Sequence, residues 1–222
     1  MKEQTYHVQQ LSKKELLTVY RTIAPAHFPK DELKPVFSVK SLLRKKAYMG
    51  LGIFDETDTL LGYGLFLTVP GMDTVLLDYY AILEPYRSLG IGSAFLQEMK
   101  DFFADYRGIF IETEDPDSAQ SEEDRTLRNR RNNFYYRNGV RPTEMACALF
   151  GVPLNILFLE TTPGTDTGIS PKPETVKSES PESEVAKSES PESEADSLRN
   201  ALEALYRFMF PFGVYSRHVE WL

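Results

Sequence analysis

The segment from Leu76 to Leu96 constrains this chain most, because it joins a strand-like run to a helix through a glycine-bearing loop. Its sequence is L-L-D-Y-Y-A-I-L-E-P-Y-R-S-L-G-I-G-S-A-F-L. The first N–H groups of a helix have no acceptor within it, and the helix dipole adds roughly half a positive charge there. Gly90 and Gly92 lack Cβ atoms, so a phosphate can approach the backbone closely. The segment therefore predicts an anion-binding loop.

Two common phosphate-binding motifs do not fit this loop. The pattern G-x-G-x-x-G fails because Phe95 stands at the third glycine, and no G-x-x-x-x-G-K-[ST] string follows a strand. What remains is R-x-x-G-x-G, from Arg87 to Gly92, after a strand and at the start of a helix. This arrangement resembles the pyrophosphate-binding motif of the GNAT superfamily of acetyl-CoA-dependent N-acetyltransferases. A glycine-bearing helix start that only packs tightly is the alternative.

A second segment strengthens the resemblance. Arg130–Val140 reads R-R-N-N-F-Y-Y-R-N-G-V and is similar to the family's helix that ends in Phe-Tyr-x-x-x-Gly. The strand-like Gly108–Pro116 lies between the two motifs. The resemblance covers roughly residues 5–160 and implies an α+β fold. That fold is a GNAT-like mixed, mostly antiparallel sheet of six to seven strands, with helices on both faces and a splayed central parallel strand pair.

The resemblance also implies how acetyl-CoA would bind. In the family, backbone groups of the strand before the loop hold the pantetheine arm, and N–H groups of the loop hold the pyrophosphate. The residues that correspond here are Ala81, Ile82, Arg87, Ser88, Leu89, Gly90, Ile91, Gly92 and Ser93. One departure is Arg128, which stands where many members carry an asparagine that contacts pantetheine. No metal is expected, since the three histidines show no ligand spacing.

The resemblance assigns Tyr135 as the general acid that protonates the leaving thiolate, with Tyr136 as the alternative if the helix register differs by one. The general base stays open. The position that some members fill with glutamate falls on Leu76, which cannot accept a proton. The remaining candidates are Asp78, Glu112, Glu114 and water.

The predicted function is therefore transfer of an acetyl group from acetyl-CoA to a primary amine by direct attack in a ternary complex. Two alternatives stay open: an acyltransferase that uses a longer acyl-CoA, and a CoA-binding sensor or scaffold without turnover. The acceptor is a small-molecule amine, a peptide N-terminus or a lysine, and the sequence does not distinguish them. A homodimer is also left open.

Charge and composition exclude other classes. The net charge is −8, but residues 171–197 carry eight acidic residues and three lysines, so most of the excess lies in that segment. Nucleic-acid binding, which needs a basic face, is not expected. No apolar run approaches the length of a membrane span, and the N-terminus lacks the apolar region of a secretory signal. Cys147 is the only cysteine, which is typical of a cytoplasmic protein.

The chain divides into three predicted parts. Residues 1–163 form the acetyltransferase domain. Residues 164–197 contain the string K-S-E-S-P-E-S-E twice, ten residues apart, which predicts a disordered acidic linker. Residues 198–222 begin with apolar residues at helical spacing, which predicts a helical tail that packs back on the domain. A partner-binding helix is the alternative for this tail.

Patterns elsewhere predict the remaining elements. Ser12 and Glu15 form a capping box for a helix through Arg21, and a second helix is expected near Val39–Lys46. The strands expected from composition and alternation are Thr5–Gln9, Ala47–Phe54, Leu61–Val69, Leu76–Leu83, Gly108–Glu114, Glu144–Phe150 and Pro153–Glu160.

Overall fold

The computed structural model describes residues 6–161, 193–210 and 213–222 of the 222 in the chain. Its strands are β1 (Tyr6–Gln10), β2 (Tyr48–Asp55), β3 (Leu60–Leu67), β4 (Thr74–Ile82), β5 (Gly108–Glu114), β6 (Arg141–Leu149), β7 (Val152–Glu160) and β8 (Val219–Trp221). Its α-helices are α1 (Lys13–Thr18), α2 (Val36–Arg44), α3 (Ile91–Phe102), α4 (Glu122–Arg137), α5 (Glu194–Met209) and α6 (Tyr215–His218). None of the described helices has both the length and the apolar character needed to cross a membrane.

One sheet contains all eight described strands, in the order β1-β2-β3-β4-β5-β7-β6-β8. Only β4 and β5 run parallel among them, and α3 makes the crossover that a parallel pair requires. The predicted α+β class with a central parallel pair is confirmed. The strand count exceeds the predicted six to seven because β8 pairs with β6 at the edge, where Cys147 lies opposite Trp221. Three residues are too few to show the alternation that marks a strand in sequence.

Helices cover both faces of the sheet and bury two separate apolar clusters. Face A, as we call it, is covered by α1, α2 and α5, whose buried side chains include Leu16, Val39 and Leu202. Face B is covered by α3 and α4, whose buried side chains include Phe95 and Tyr135. Strand residues alternate between the two clusters, so the central strands are buried on both sides. The site described below is therefore held between two packed layers.

Serine caps fix where two helices begin. The capping box predicted for α1 is present, with the Ser12 hydroxyl accepting from the Glu15 N–H and the Glu15 carboxylate accepting from the Ser12 N–H. Ser193 caps α5 by accepting from the N–H of Asp196. The helix thus starts at Glu194, four residues before the predicted boundary at 198. The rest of the predicted linker, residues 164–192, lies outside the described residues.

The C-terminal helix contributes a full apolar stripe to face A. Leu198, Leu202, Leu205 and Tyr206 are all buried there, and α5 lies against β4 and β6. Although α5 follows every described strand except β8 in the chain, it covers the centre of the sheet. Its packing therefore contributes directly to the stability of the domain.

Leu202→Ala is expected to destabilise the protein by about 2–5 kcal/mol, since it removes buried methyl groups and leaves a cavity. Chemical denaturation of the two proteins measures the difference. The control is Leu127→Ala, which makes the same change at an exposed position of α4 and should alter stability by less than about 0.5 kcal/mol. Equal effects of the two substitutions would show that α5 does not carry this packing energy.

Candidate active site

The sheet opens between its two parallel strands. Pairing of β4 with β5 ends at Leu77 and Ile111, although β4 continues to Ile82 and β5 to Glu114. Beyond that point β4 stays paired with β3, and β5 stays paired with β7. A register shift between β3 and β4 leaves Asp78 as the extra residue of a bulge, and a bulge bends its strand. The two strands therefore part and leave a gap in the centre of the sheet.

The gap exposes alternate backbone groups of β4. The Leu83 N–H donates to the Leu61 carbonyl at 2.9 Å, so the backbone polar groups of Leu83 point towards β3. Since alternate residues of an antiparallel strand face its partner, Ala81 faces β3, whereas Ile82 faces the gap. Of the two predicted pantetheine contacts, the geometry thus supports Ile82 and turns Ala81 towards β3. Arg87 folds back over the same place, with its Nε donating to the Ile82 carbonyl at 3.0 Å.

The helix after β4 begins without a side-chain cap. Its first backbone hydrogen bond runs from Ala94 to the Gly90 carbonyl, and its first turn contains no acidic residue. The N–H groups of Ile91, Gly92 and Ser93 thus have no acceptor within the helix. By contrast, serine hydroxyls cap α1, α4 and α5. The start of α3 is left open to an anion.

Two residues of the loop adopt left-handed backbone conformations. Gly90 has φ 82° and Ser88 has φ 64°, a conformation that is uncommon for residues other than glycine. Such turns direct successive N–H groups to one side and form concave anion sites. Both Ser88 and Leu89 are exposed. The loop conformation and the open helix start agree with the predicted phosphate-binding role.

Gly92 has a packing role, which the sequence left open as the alternative for this helix start. A Cβ atom on Gly92 would lie 3.2 Å from the Tyr80 hydroxyl and 3.3 Å from the ring of Phe134. The Tyr80 hydroxyl donates to the Gly92 carbonyl at 2.8 Å, and the Tyr80 and Phe134 rings stack. The missing side chain at Gly92 therefore lets α3 approach β4 and α4. Gly90, by contrast, has open space around it and is required for its positive φ.

Tyr135 lies on α4 against face B, close to Tyr80. It is 6% exposed, whereas Tyr136 is 42% exposed, so the helix turns Tyr135 and not its neighbour towards the sheet. Within the described part of the chain its hydroxyl has no hydrogen-bond partner. Burial raises the pKa of Tyr135 to about 12, and the nearby Arg131 charge lowers it less than burial raises it. The phenol thus keeps its proton at neutral pH.

Two further polar side chains on face B are buried without partners. Thr113 Oγ1 on β5 and Asn132 Oδ1 on α4 have no hydrogen bond to any described residue. Thr113 follows Ile111 by two residues along the opened part of β5, and Asn132 lies one turn before Tyr135. Unpaired buried polar atoms are rare because each costs stability. These two were not predicted, since a single threonine or asparagine carries no periodic signal.

On face A, the carboxylate of Asp78 is fully engaged. Its Oδ1 lies 2.5 Å from Lys34 Nζ, and its Oδ2 accepts from the Tyr48 hydroxyl at 2.5 Å. The Asp78 side chain is only 3% exposed and that of Lys34 is 18% exposed. The loop that carries Lys34 is tied to the sheet, because the Lys34 N–H donates to the Tyr79 hydroxyl. Nothing in the sequence pattern of that loop indicated this ion pair.

The two glutamates of β5 have different surroundings. Glu112 directly follows Ile111, the last residue of β5 that pairs with β4. It accepts a hydrogen bond from the hydroxyl of Tyr206 on α5. Glu114 is paired with Arg128 at 3.0 Å and Arg131 at 3.1 Å, both on α4. Arg128, the departure from the family pattern, thus anchors α4 to β5. Burial raises the pKa of Glu112 above its ordinary value, while Tyr206 and Lys34 act in the opposite direction.

Comparison with known proteins agrees with this arrangement. Residues 14–122 match the model of the acetyltransferase (GNAT) family. No curated protein matches this chain in sequence. Among solved structures, a GNAT-family protein from Bacteroides thetaiotaomicron has a TM-score of 0.57 at 17% identity, over 72% of this chain and 90% of its own.

Two other structures have stated activities. The ribosomal-protein-S18-alanine N-acetyltransferase from Escherichia coli has a TM-score of 0.52 at 13% identity, over 73% of this chain and 98% of its own. The spermidine N-acetyltransferase from Vibrio cholerae, solved with CoA and spermine, has a TM-score of 0.50 at 8% identity, over 70% of this chain and 95% of its own. At such identities the likeness shows the fold alone. The chain thus contains a domain that matches the GNAT family of acetyltransferases over residues 14–122, and the solved structures share its fold.

Proposed function

We propose that this protein transfers an acetyl group from acetyl-CoA to a primary amine by direct attack in a ternary complex. The observation that carries the proposal is the gap between β4 and β5. The uncapped start of α3 lies beyond the end of β4, and the protonated Tyr135 lies beside the gap. Acetyl-CoA supplies the acetyl group and a thiolate leaving group. The residues around the gap supply binding, orientation and proton transfer.

The residues present fit acetyl-CoA. The free N–H groups of Ile91, Gly92 and Ser93 suit the pyrophosphate, which is anionic. The backbone of Ile82 and the unpaired polar atoms of Thr113 and Asn132 suit the amide groups of the pantetheine arm. A ligand that pairs these buried atoms recovers the cost of burying them in the free protein.

Thr113→Val tests this assignment, because the stability of the free protein should rise while the affinity for acetyl-CoA falls. Removing an unpaired buried hydroxyl should stabilise the free protein by about 1 kcal/mol, whereas acetyl-CoA affinity should fall about two- to tenfold. Thermal denaturation and calorimetric titration measure the two effects. The matched control is Thr74→Val, which removes another unpaired buried hydroxyl at the closed end of β4. The control should stabilise the protein and leave affinity unchanged; equal affinities for all three proteins would contradict the role of Thr113.

Tyr135 is the general acid of the proposal, because its phenol is protonated and lacks another partner. Tyr135→Phe keeps the ring and should lower kcat by about 10²–10⁴, with little change in acetyl-CoA affinity. Since burial raises the pKa of Tyr135 to about 12, the factor should be the same at pH 7 and pH 9. Steady-state kinetics at both pH values provide the measurement. Tyr136→Phe, on the exposed side of α4, is the control and should retain full activity. Full activity of Tyr135→Phe as well would show that Tyr135 only packs against the sheet.

Among the candidate bases, the contacts favour Glu112. Both oxygens of Asp78 are engaged by Lys34 and Tyr48, and Glu114 is held by two arginines. Glu112 uses one oxygen to accept from Tyr206, and its other oxygen has no hydrogen-bond partner among the residues described. That oxygen can take a proton from an ammonium group that enters the gap from face A. We therefore assign Asp78 to holding Lys34 and the loop around it.

The acceptor class follows from the charges near the gap on face A. Lys34 offsets the charge of Asp78 and two arginines offset that of Glu114, whereas Glu112 has a neutral tyrosine as its hydrogen-bond partner. A carboxylate without a paired cation attracts a cationic amine. A small amine, a peptide N-terminus and a lysine side chain all meet this requirement.

Purified protein offered acetyl-CoA and a panel of amines tests the function itself. Free thiol and the mass of the product are measured, and we expect an increase of 42 Da, the mass of an acetyl group in place of a hydrogen, on at least one primary amine. Faster turnover with a longer acyl-CoA would identify that thioester as the preferred donor, and the reaction would remain acyl transfer to an amine. Binding of acetyl-CoA without turnover on any amine would refute the proposal and favour a sensor or scaffold.

A further inference from the structure

The C-terminal helix reaches the candidate active site through one side chain. Tyr206 of α5 is fully buried on face A, and its hydroxyl donates to Glu112 Oε1. The family match ends at residue 122, so this helix lies outside it. This helix therefore contributes a side chain to the candidate active site as well as apolar packing to the domain.

The contacts of Tyr206 hold its hydroxyl in one place. The ring packs among apolar side chains of face A, and the oxygen lies 3.6 Å from the Cys147 Sγ on β6. A buried hydroxyl needs a strong acceptor, and a carboxylate is the strongest that a protein offers. The Glu112 carboxylate is thus fixed by a donor that cannot easily move. Its second oxygen is left available beside the point where β4 and β5 part.

The charged and titratable groups around Glu112 come from every element packed against it. They are Tyr206 from α5, Cys147 from β6, Lys34 from the loop before α2, and Asp78 and Tyr79 from β4. Burial and the Asp78 charge raise the pKa of Glu112, while the Tyr206 hydrogen bond and the Lys34 charge lower it. A proton acceptor works best when its pKa lies near the working pH, and burial moves Glu112 in that direction.

We propose that α5 completes the acceptor side of the active site, with Tyr206 as the positioning residue that holds Glu112 as the proton acceptor for the incoming amine. This inference rests on the proposed function. Glu112 takes one proton from the ammonium nitrogen, the carbon–nitrogen bond forms as the carbon–sulfur bond breaks, and Tyr135 protonates the departing sulfur. The second nitrogen proton, released as the amide forms, restores Tyr135 through water. One proton is thus released overall, from Glu112 to solvent.

Tyr206→Phe removes the hydroxyl and keeps the ring. The hydrogen bond stabilises the ionised carboxylate, so its loss should raise the pKa of Glu112 further. The acidic limb of kcat/KM against pH should then move to higher pH by about one pH unit, with an unchanged KM for acetyl-CoA. The matched control is Tyr215→Phe, the same change in the C-terminal segment at a tyrosine that accepts from the Trp221 indole. Its pH profile should coincide with that of the wild type.

A second measurement does not depend on turnover. In protein labelled with ¹³C at glutamate carboxyls, Glu112→Gln identifies the Glu112 signal, and the pH titration is compared between wild type and Tyr206→Phe. The signal should titrate at higher pH in Tyr206→Phe and at the wild-type pH in Tyr215→Phe. Glu112→Gln can still accept from Tyr206 but takes no proton, so its kcat should fall at least about 10²-fold.

The outcomes separate the two proposals. An unshifted Glu112 titration in Tyr206→Phe, or an acidic limb that does not move in an active enzyme, would overturn the role of Tyr206. Full activity of Glu112→Gln would overturn the role of Glu112 as proton acceptor. Absence of acetyl transfer by the wild type to any amine would instead refute the proposed function.

Discussion

The parting of β4 and β5 is the constraint on which the rest of the site depends. Each strand keeps its outer partner, β3 or β7, beyond the last β4–β5 pair, so the outer ladders continue while the central pair opens. The bulge at Asp78 allows β4 to bend away while its pairing with β3 continues. The unpaired backbone groups that result would be costly if they were merely buried. Their position at the edge of a gap makes them available to a ligand.

The two sides of this gap differ in their chemistry. Face B presents a phenol that burial keeps protonated, together with unpaired hydroxyl and amide oxygens. Face A presents carboxylates, one of them neutralised by Lys34 and another held by Tyr206. A protonated phenol and a carboxylate with one oxygen left without a hydrogen bond among the described residues thus lie on opposite sides of one opening. Such a separation suits a transfer in which one group gains a proton as another loses one.

The surroundings of the site are held by contacts distant in sequence. Lys34 reaches Asp78 from a loop before α2, and Tyr206 reaches Glu112 from the last long helix. Arg128 ties α4 to Glu114 and to the loop after β5. Each of these contacts joins a strand of the gap to a covering element. The geometry of the gap and the packing of the helices on both faces are therefore coupled.

The sequence by itself determined the strand–loop–helix unit and the helix that carries Tyr135, because those features arise from local residue patterns, and the family resemblance of these two segments implied the α+β class. Its glycines at 90 and 92 marked the loop, yet only the fold showed that Gly90 supplies a positive φ while Gly92 makes room for Tyr80 and Phe134. It also marked Asp78 on one strand and Glu112 on the next as candidate bases, without distinguishing them. Only the tertiary structure separated the two, because their partners Lys34 and Tyr206 are 44 and 94 residues away in the chain. Contacts of that kind depend on how whole elements pack, which no local pattern of residues records.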